Sequence, residues 1–191
     1  MKNFYILYFF IFFLTSQIAK SIENFKIISS VDNQSITYID LIKEMKILKI
    51  LGEKKNLKET AHANLINEKL KKNEIKNNKI FIETKIIDNY YSNFLDKLKI
   101  NKIVLEEEFK NKLYEKVRLE VEWNNLIYKL YYNKININTA EIKNKLRYED
   151  KKNNFLNEKK LIDLEKNNKI KVFSNYHLNI IKSRASIKYY K

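Results

Sequence analysis

Hydrophobic and polar residues change rhythm several times along this chain, and each change marks an element. From Lys26 to Met45 the sequence reads KIISSVDNQSITYIDLIKEM. Its start alternates as a strand does, with Phe25, Ile27 and Ser29 on one side and Ile28 and Val31 on the other. The segment DNQS, Asp32 to Ser35, holds residues that tolerate turn dihedrals, and SITY returns as a second short strand. Thr37 and Asp40 stand at capping-box spacing, with Asp in place of the usual Glu. Ile39, Ile42, Met45, Ile47 and Leu48 then carry a helical stripe to Gly52, the only glycine and a helix stop. The order predicted here is strand, turn, strand, helix.

Beyond Thr60 the period is helical. Leu65, Ile66, Leu70 and Ile75 form one amphipathic face, and Ile86, Ile87, Tyr90, Tyr91, Phe94, Leu95 and Leu98 form a broader one. A long helix is predicted from about Ile103, through Leu105, Phe109, Leu113, Val117 and Val121 to Trp123, Leu126, Ile127, Leu130 and Tyr131. Glu106 to Glu108 occupy its first turn, where the helix dipole favours negative charge. NKINI breaks it, and NTAE, Asn138 to Glu141, caps another helix. FSNYHLNIIKSR reads as a short helix with Ser174 as its cap, leading into ASIKYY as a terminal strand.

A terminal strand in a helical chain needs a partner for its edge, and the other predicted strands are in the opening hairpin. The two ends are therefore expected to meet in one small sheet, a frayed tail being the alternative. The fold class expected is mostly α, with a small sheet formed by an N-terminal hairpin and the C-terminal strand.

What precedes the hairpin changes the picture of location. MKNFYILYFFIFFLTSQIAKS holds an apolar run from Phe4 to Leu14 and ends in small residues, so cleavage of a signal peptide is expected after Ser21. The run is short for a bilayer, which needs about 20 apolar residues; an uncleaved anchor is the alternative. The chain has no Cys, so its stability rests on a core and not on a disulfide framework. Removal of residues 1–21 takes Lys2 and Lys20 and no acid, leaving a net charge of +13, two below the +15 of the whole chain. Such a charge attracts anions, nucleic acid and anionic lipid among them. Yet Lys and Arg alternate with Glu and Asp, and the densest basic stretch, KLKKNEIKNNK, reads as a solvated helix face. Arginine, the usual base reader, occurs only as Arg118, Arg147 and Arg184, so no nucleic-acid partner is expected.

With those residues in place a resemblance emerges. The hairpin IISSVDNQSITYIDL with its helix, and LINEKLKKNEIKNNKIFIETKIIDNYYSNFL after it, resemble the N-terminal domain of SurA-like periplasmic chaperones. EVEWNNLIYKLYYNKININTAEI is similar to the long helix of that family, and FSNYHLNIIKSRASIKYY to its returning C-terminal helix and strand. The resemblance implies a single chaperone core over 22–191. Its parts are an N-terminal portion (22–142), a Lys/Asn-rich connecting helix (143–172), and a returning helix and strand (173–190). Family members commonly carry parvulin prolyl-isomerase domains between the matching ends. Here only Ile142 to Val172 lies there, and a domain needs about a hundred residues. The segment from Ile100 to Leu113 also looks shorter than the family's. The resemblance thus implies a periplasmic, non-catalytic holdase for unfolded outer-membrane barrel proteins in transit, with the outer-membrane assembly machinery as a further partner.

The chemistry-bearing residues agree with an absence of catalysis. His62 and His177 are the only histidines, neither at a metal-ligand spacing, and both read as surface or helix-end residues. No phosphate-cradling glycine loop, zinc motif or nucleophile elbow occurs, so no catalytic residue, metal or cofactor is expected. Thirteen Tyr, eleven Phe and one Trp are what remains. Rings with an apolar body and a polar tip suit diverse extended chains, and barrel strands alternate aromatic and polar residues. Tyr90, Tyr91, Phe94, Tyr128 and Tyr131 are the candidate peptide-binding residues, with helix packing as the competing reading; Trp123 is placed in the core. The alternative function is a membrane-anchored or polyanion-binding basic helical protein, and a membrane surface stays open as a partner.

Overall fold

The computed structural model of the chain describes residues 25–98, 107–135 and 158–190, with 137, 138, 140, 142 and 144 singly. The expected signal peptide, the start of the long helix before residue 107 and the middle of the connecting segment lie outside the described residues. The elements run β1 (Ile27–Val31), β2 (Gln34–Thr37), α1 (Tyr38–Ile50), α2 (Leu57–Asn77), α3 (Thr84–Leu98), α4 (Glu107–Ile135), α5 (Glu158–Arg184) and β3 (Ile187–Tyr189). The fold is mostly α with a small antiparallel sheet of strand order β2-β1-β3. It divides into two compact units, residues 25–70 with 185–190, and residues 71–184.

In the first unit the hairpin turns on Asp32 and Asn33 alone, both in the left-handed region at φ 46° and 67°. Such a two-residue turn matches the twist of its strands, and Asp and Asn adopt it more readily than most residues. Gln34 and Ser35 already belong to β2. Strict alternation fails in β1. The register slips between Ile27 and Ser29, so Phe25 and Ile27 are exposed while Ser29, Ser30 and Val31 are all buried. The expected placing of Ser29 beside Phe25 and Ile27 is thereby corrected; a bulge adds a residue, and the side chains beyond it change face.

The terminal strand meets the hairpin as expected, β3 pairing antiparallel with β1 through Ser29–Tyr189, Ser30–Lys188 and Val31–Ile187. Asp32 clamps one end of this junction through two hydrogen bonds to Ser186. Its amide donates to the Ser186 carbonyl at 3.0 Å, and its Oδ1 accepts the Ser186 amide at 2.9 Å. The capping box also forms, Thr37 Oγ1 accepting the Asp40 amide and Asp40 Oδ2 accepting the Thr37 amide. Val31, Ile36, Leu41, Ile47, Leu48, Ala61, Leu65, Ile66 and Leu70 are the buried apolar residues of this unit. Glu44 is buried among them, its Oε1 accepting from Asn64 Nδ2 at 3.2 Å.

Two helices end in the same motif with different residues. After α1, Gly52 sits at φ 89°, its amide donating to Lys49 and that of Glu53 to Leu48. After α2, Lys79 sits at φ 51°, its amide donating to Lys76 and that of Ile80 to Ile75. Both are Schellman stops, which favour glycine at the left-handed position because a Cβ there crowds the carbonyl. Lys79→Gly is therefore expected to stabilise the chain by about 1 kcal/mol, read as a higher urea midpoint; no rise would mean that chain entropy offsets the relief.

In the second unit the core gathers Ile75, Leu119, Trp123, Leu126, Ile127 and Ile135, with Tyr128, Tyr131, Ile170, Phe173, Leu178 and Ile181 packed on it. Trp123 is fully buried, as expected. The long helix ends within NKINI, as expected, and it is also bent shortly before that end. α4 kinks at Tyr131 (φ −117°, ψ 18°) and still runs on to Ile135. Asn138 Oδ1 accepts the Ala140 amide, the N-cap expected of NTAE. The short terminal helix is also corrected, because α5 is continuous from Glu158 and Ser174 lies in its interior. No helix among the described residues is long and apolar enough to cross a membrane.

Candidate functional site

The five aromatic candidates all lie in the second unit, and the structure separates them into two groups. Tyr90, Tyr91 and Phe94 stand on α3, while Tyr128 and Tyr131 stand late on α4. Tyr91 meets Tyr114 of α4 edge-on, with centroids 5.3 Å apart, and its hydroxyl donates to the Lys110 carbonyl. From Tyr114 to Tyr128 is roughly 21 Å along the helix, so the five do not line one short groove.

The late group is built into packing. Tyr131 stacks on Phe173 of α5, centroids 4.9 Å apart and planes within 14°, and meets Tyr176 edge-on. Its hydroxyl shares a 2.9 Å hydrogen bond with His177 Nδ1, and His177 Nε2 reaches Glu74 Oε1 at 3.2 Å. Trp123 Nε1 donates to Ser174 Oγ at 2.7 Å, so this serine closes a buried indole and not a helix end. Lys71 pairs with Glu120 and lies 5.6 Å from the Trp123 ring centre; Lys166 lies 4.4 Å over Tyr128. Partial burial, then Tyr176 and Glu74, raise the Tyr131 pKa, so the phenol holds its proton for the hydrogen bond. This chain of contacts joins α2, α4 and α5.

The α3 group is more open. Ile87 is its only fully buried residue. Ile86, Tyr90 and Phe94 follow at four-residue spacing; Ile86 and Tyr90 are exposed and Phe94 is half-buried, and Phe81, just before the helix, is 74% exposed. The Tyr91 pKa is raised, first by partial burial and then by Glu107 against the opposing Lys110. That of Tyr114 is raised first by its hydrogen bond to Asp88, 2.9 Å away. Both phenols anchor α3 to α4 and leave Ile86 and Tyr90 facing outward, with Phe94 half-buried at the end of their row.

Both histidines were expected at the surface or at helix ends, and both are instead hydrogen-bonded in packed positions. His177 occupies the Glu74–Tyr131 bridge. In the first unit, His62 shares a 2.7 Å hydrogen bond with the buried Ser29 Oγ and meets the Tyr189 ring edge-on at 5.7 Å. Sequence spacing carried no signal for either, since the partners lie 33 and 103 residues away. Burial, and then Lys58, hold the His62 pKa below its ordinary 6.5. The folded unit then binds fewer protons than the unfolded chain. Its stability is full above about pH 6.5 and declines as pH falls through the lowered folded value. The expected result is a lower Tm at pH 5 than at pH 7.5, with His62→Gln narrowing the difference; an equal slope in the variant would assign the loss to other groups.

Among the described residues no group of three or more His, Asp or Glu is placed to hold a metal ion. The arrangement offers apolar and aromatic surface, hydrogen-bonded phenols and scattered cations. A comparison of the chain with protein-family models and with curated proteins finds no match.

Proposed function

We propose that this chain is an exported, non-catalytic chaperone that holds unfolded polypeptide, and that it works in the periplasm on outer-membrane barrel proteins. The observation that carries the reading is α3, where Ile86 and Tyr90 stay exposed with Phe94 half-buried in the same row, while Ile87 alone is buried. An apolar row of this kind, with Phe81 before it, can hold alternating aromatic strands by burying surface and without reading sequence. Tyr91 supports the row from behind, and Tyr128 and Tyr131 stabilise the helices that carry it. The clients and the compartment rest on the resemblance to SurA-like chaperones. Holding lowers the free concentration of sticky client, and release follows handover to a stronger binder, the outer-membrane assembly machinery being one, or the client's own folding.

The test is light scattering of a urea-unfolded outer-membrane barrel protein diluted with and without this chain, at low and high salt. Suppression that survives high salt and is lost in Ile86→Ser/Tyr90→Ser is the expected result. Suppression that vanishes with salt would instead point to a polyanion-binding basic surface, and none at all would end the chaperone reading.

A further inference from the structure

We propose that the outer face of α5 docks on anionic lipid bilayers. Glu165 is the last acidic residue of the chain. From Lys166 to Lys191 there are seven cations and no acid, so these 26 residues hold +7 of the chain's net +15. Within α5, Lys171, Lys182 and Arg184 are exposed. At 100° per residue, Leu164, Lys171, Val172, Tyr176 and Lys182 fall on one side of the helix within about 140°. Arg184 is in line with Phe173 but stands in the last turn, beyond the residues that pack on the core, and is exposed. The inward side is accounted for by Ile170, Phe173, Leu178 and Ile181, which pack on the core.

The outward face combines two properties that select one partner. Glu165 stands at the start of this face, and from Lys171 onward its cations have no acid on the same helix within a turn, which favours an anionic surface. Val172 is 64% exposed and Tyr176 55%, with Leu164 exposed a few turns earlier. An apolar side chain and a tyrosine between lysines suit the boundary of headgroups and acyl chains, where the ring sits with its hydroxyl in the polar layer. Nucleic acid fits less well, because Arg184 is the only arginine of the stretch and a duplex offers little to Leu164 and Val172. The proposal is independent of the α3 row, so either can fail alone.

The experiment is sedimentation of the full chain with vesicles of phosphatidylcholine alone and of phosphatidylcholine mixed with phosphatidylglycerol. An apolar N-terminus would bind both vesicles alike, so the ratio between them is the readout. Each cation near an anionic leaflet contributes about fivefold, so the loss of three attractions alone lowers that ratio by about a hundredfold, and Lys171→Glu/Lys182→Glu/Arg184→Glu, which also adds repulsion, should lower it by at least that much. A matched reversal of exposed cations elsewhere, Lys54→Glu/Lys55→Glu/Lys85→Glu, should leave most of it. Val172→Asn/Tyr176→Asn should weaken the anionic-vesicle binding that remains at physiological salt. The α5 changes are on exposed positions, and far-UV circular dichroism checks that the helices persist. An equal fall in both charge variants would reduce the effect to net charge and overturn the proposal. So would binding that ignores lipid charge, or a short DNA duplex displacing the vesicles through the same α5 residues.

Discussion

Trp123→Ala is expected to destabilise the second unit by about 4 kcal/mol, the range found when a large buried ring is removed from a core. The indole is fully buried among Leu119, Leu126, Ile127 and Ile75, so truncation leaves a void that helices cannot easily close. It also removes the Nε1–H that donates to Ser174 Oγ and the ring beneath Lys71. Two companion changes separate these contributions. Trp123→Phe keeps most of the apolar volume and loses the donor, with an expected cost of about 2 kcal/mol. Ser174→Ala keeps the ring and leaves its N–H without that acceptor, with an expected cost of about 1–3 kcal/mol. Urea denaturation followed by circular dichroism measures all three, since Trp123 is the chain's only tryptophan and fluorescence would be lost with it. A Ser174→Ala cost as large as that of Trp123→Ala would overturn the ranking and make the hydrogen bond, not the volume, the dominant contribution.

Deletion of residues 186–191 is expected to destabilise the first unit by about 4 kcal/mol, at roughly 1 kcal/mol net for each hydrogen bond lost. The lost contacts include Asp32 N–H to Ser186, Ser186 N–H to Asp32 Oδ1 and Tyr190 N–H to Ile28, besides Ser30 Oγ with the Tyr190 hydroxyl. β1 would then become an edge strand, and Ser29, Ser30 and Val31 would lose the neighbour that pairs with them. Amide exchange resolves the effect locally. Protection of the Ser30 and Asp32 amides should fall sharply, while Ser29 and Val31, whose amides face β2, should change less. Alternate amides of β1 face β3, and the pairing of Ser30 and Asp32 depends on a segment some 155 residues later in sequence, as Asp32 and Ser186 illustrate (154 apart). Unchanged protection there would mean that the β1–β2 hairpin and its helices hold without the returning strand.

How much of this was legible beforehand depended on how far apart the interacting groups stand. The turn (read as Asp32 to Ser35, though Asp32 and Asn33 alone make it), the Thr37–Asp40 capping box, the Gly52 stop and the Asn138 cap each act within a few residues, so local pattern identified them. Even the closure of the sheet followed from a strand whose edge had nowhere else to pair. The Lys79 stop was missed because lysine carries no such signal, although its backbone does what Gly52 does.

For the candidate site the pattern found the apolar stripe of α3 but not which part of it stays outward. That is decided by Tyr91 and Tyr114, which turn Ile87 inward and leave Ile86 and Tyr90 exposed. Periodicity equally grouped Tyr128 and Tyr131 with the α3 residues, yet the length of α4 keeps them apart and Phe173 and His177 draw Tyr131 into packing. Ser174 looked like a cap because serine often is one; the continuity of α5 and the indole of Trp123, 51 residues away, gave it another partner.

By itself, then, the sequence determined the kinds of element, their order, most of the caps and the meeting of the terminal strand with the hairpin, because backbone hydrogen bonding and hydrophobic period are short-range. Tertiary structure alone decided which histidines and tyrosines are held in packing and which aromatic row remains open. Those outcomes depend on groups brought together from distant turns of different helices, and no spacing along the chain encodes which side of a broad apolar stripe a neighbour will cover.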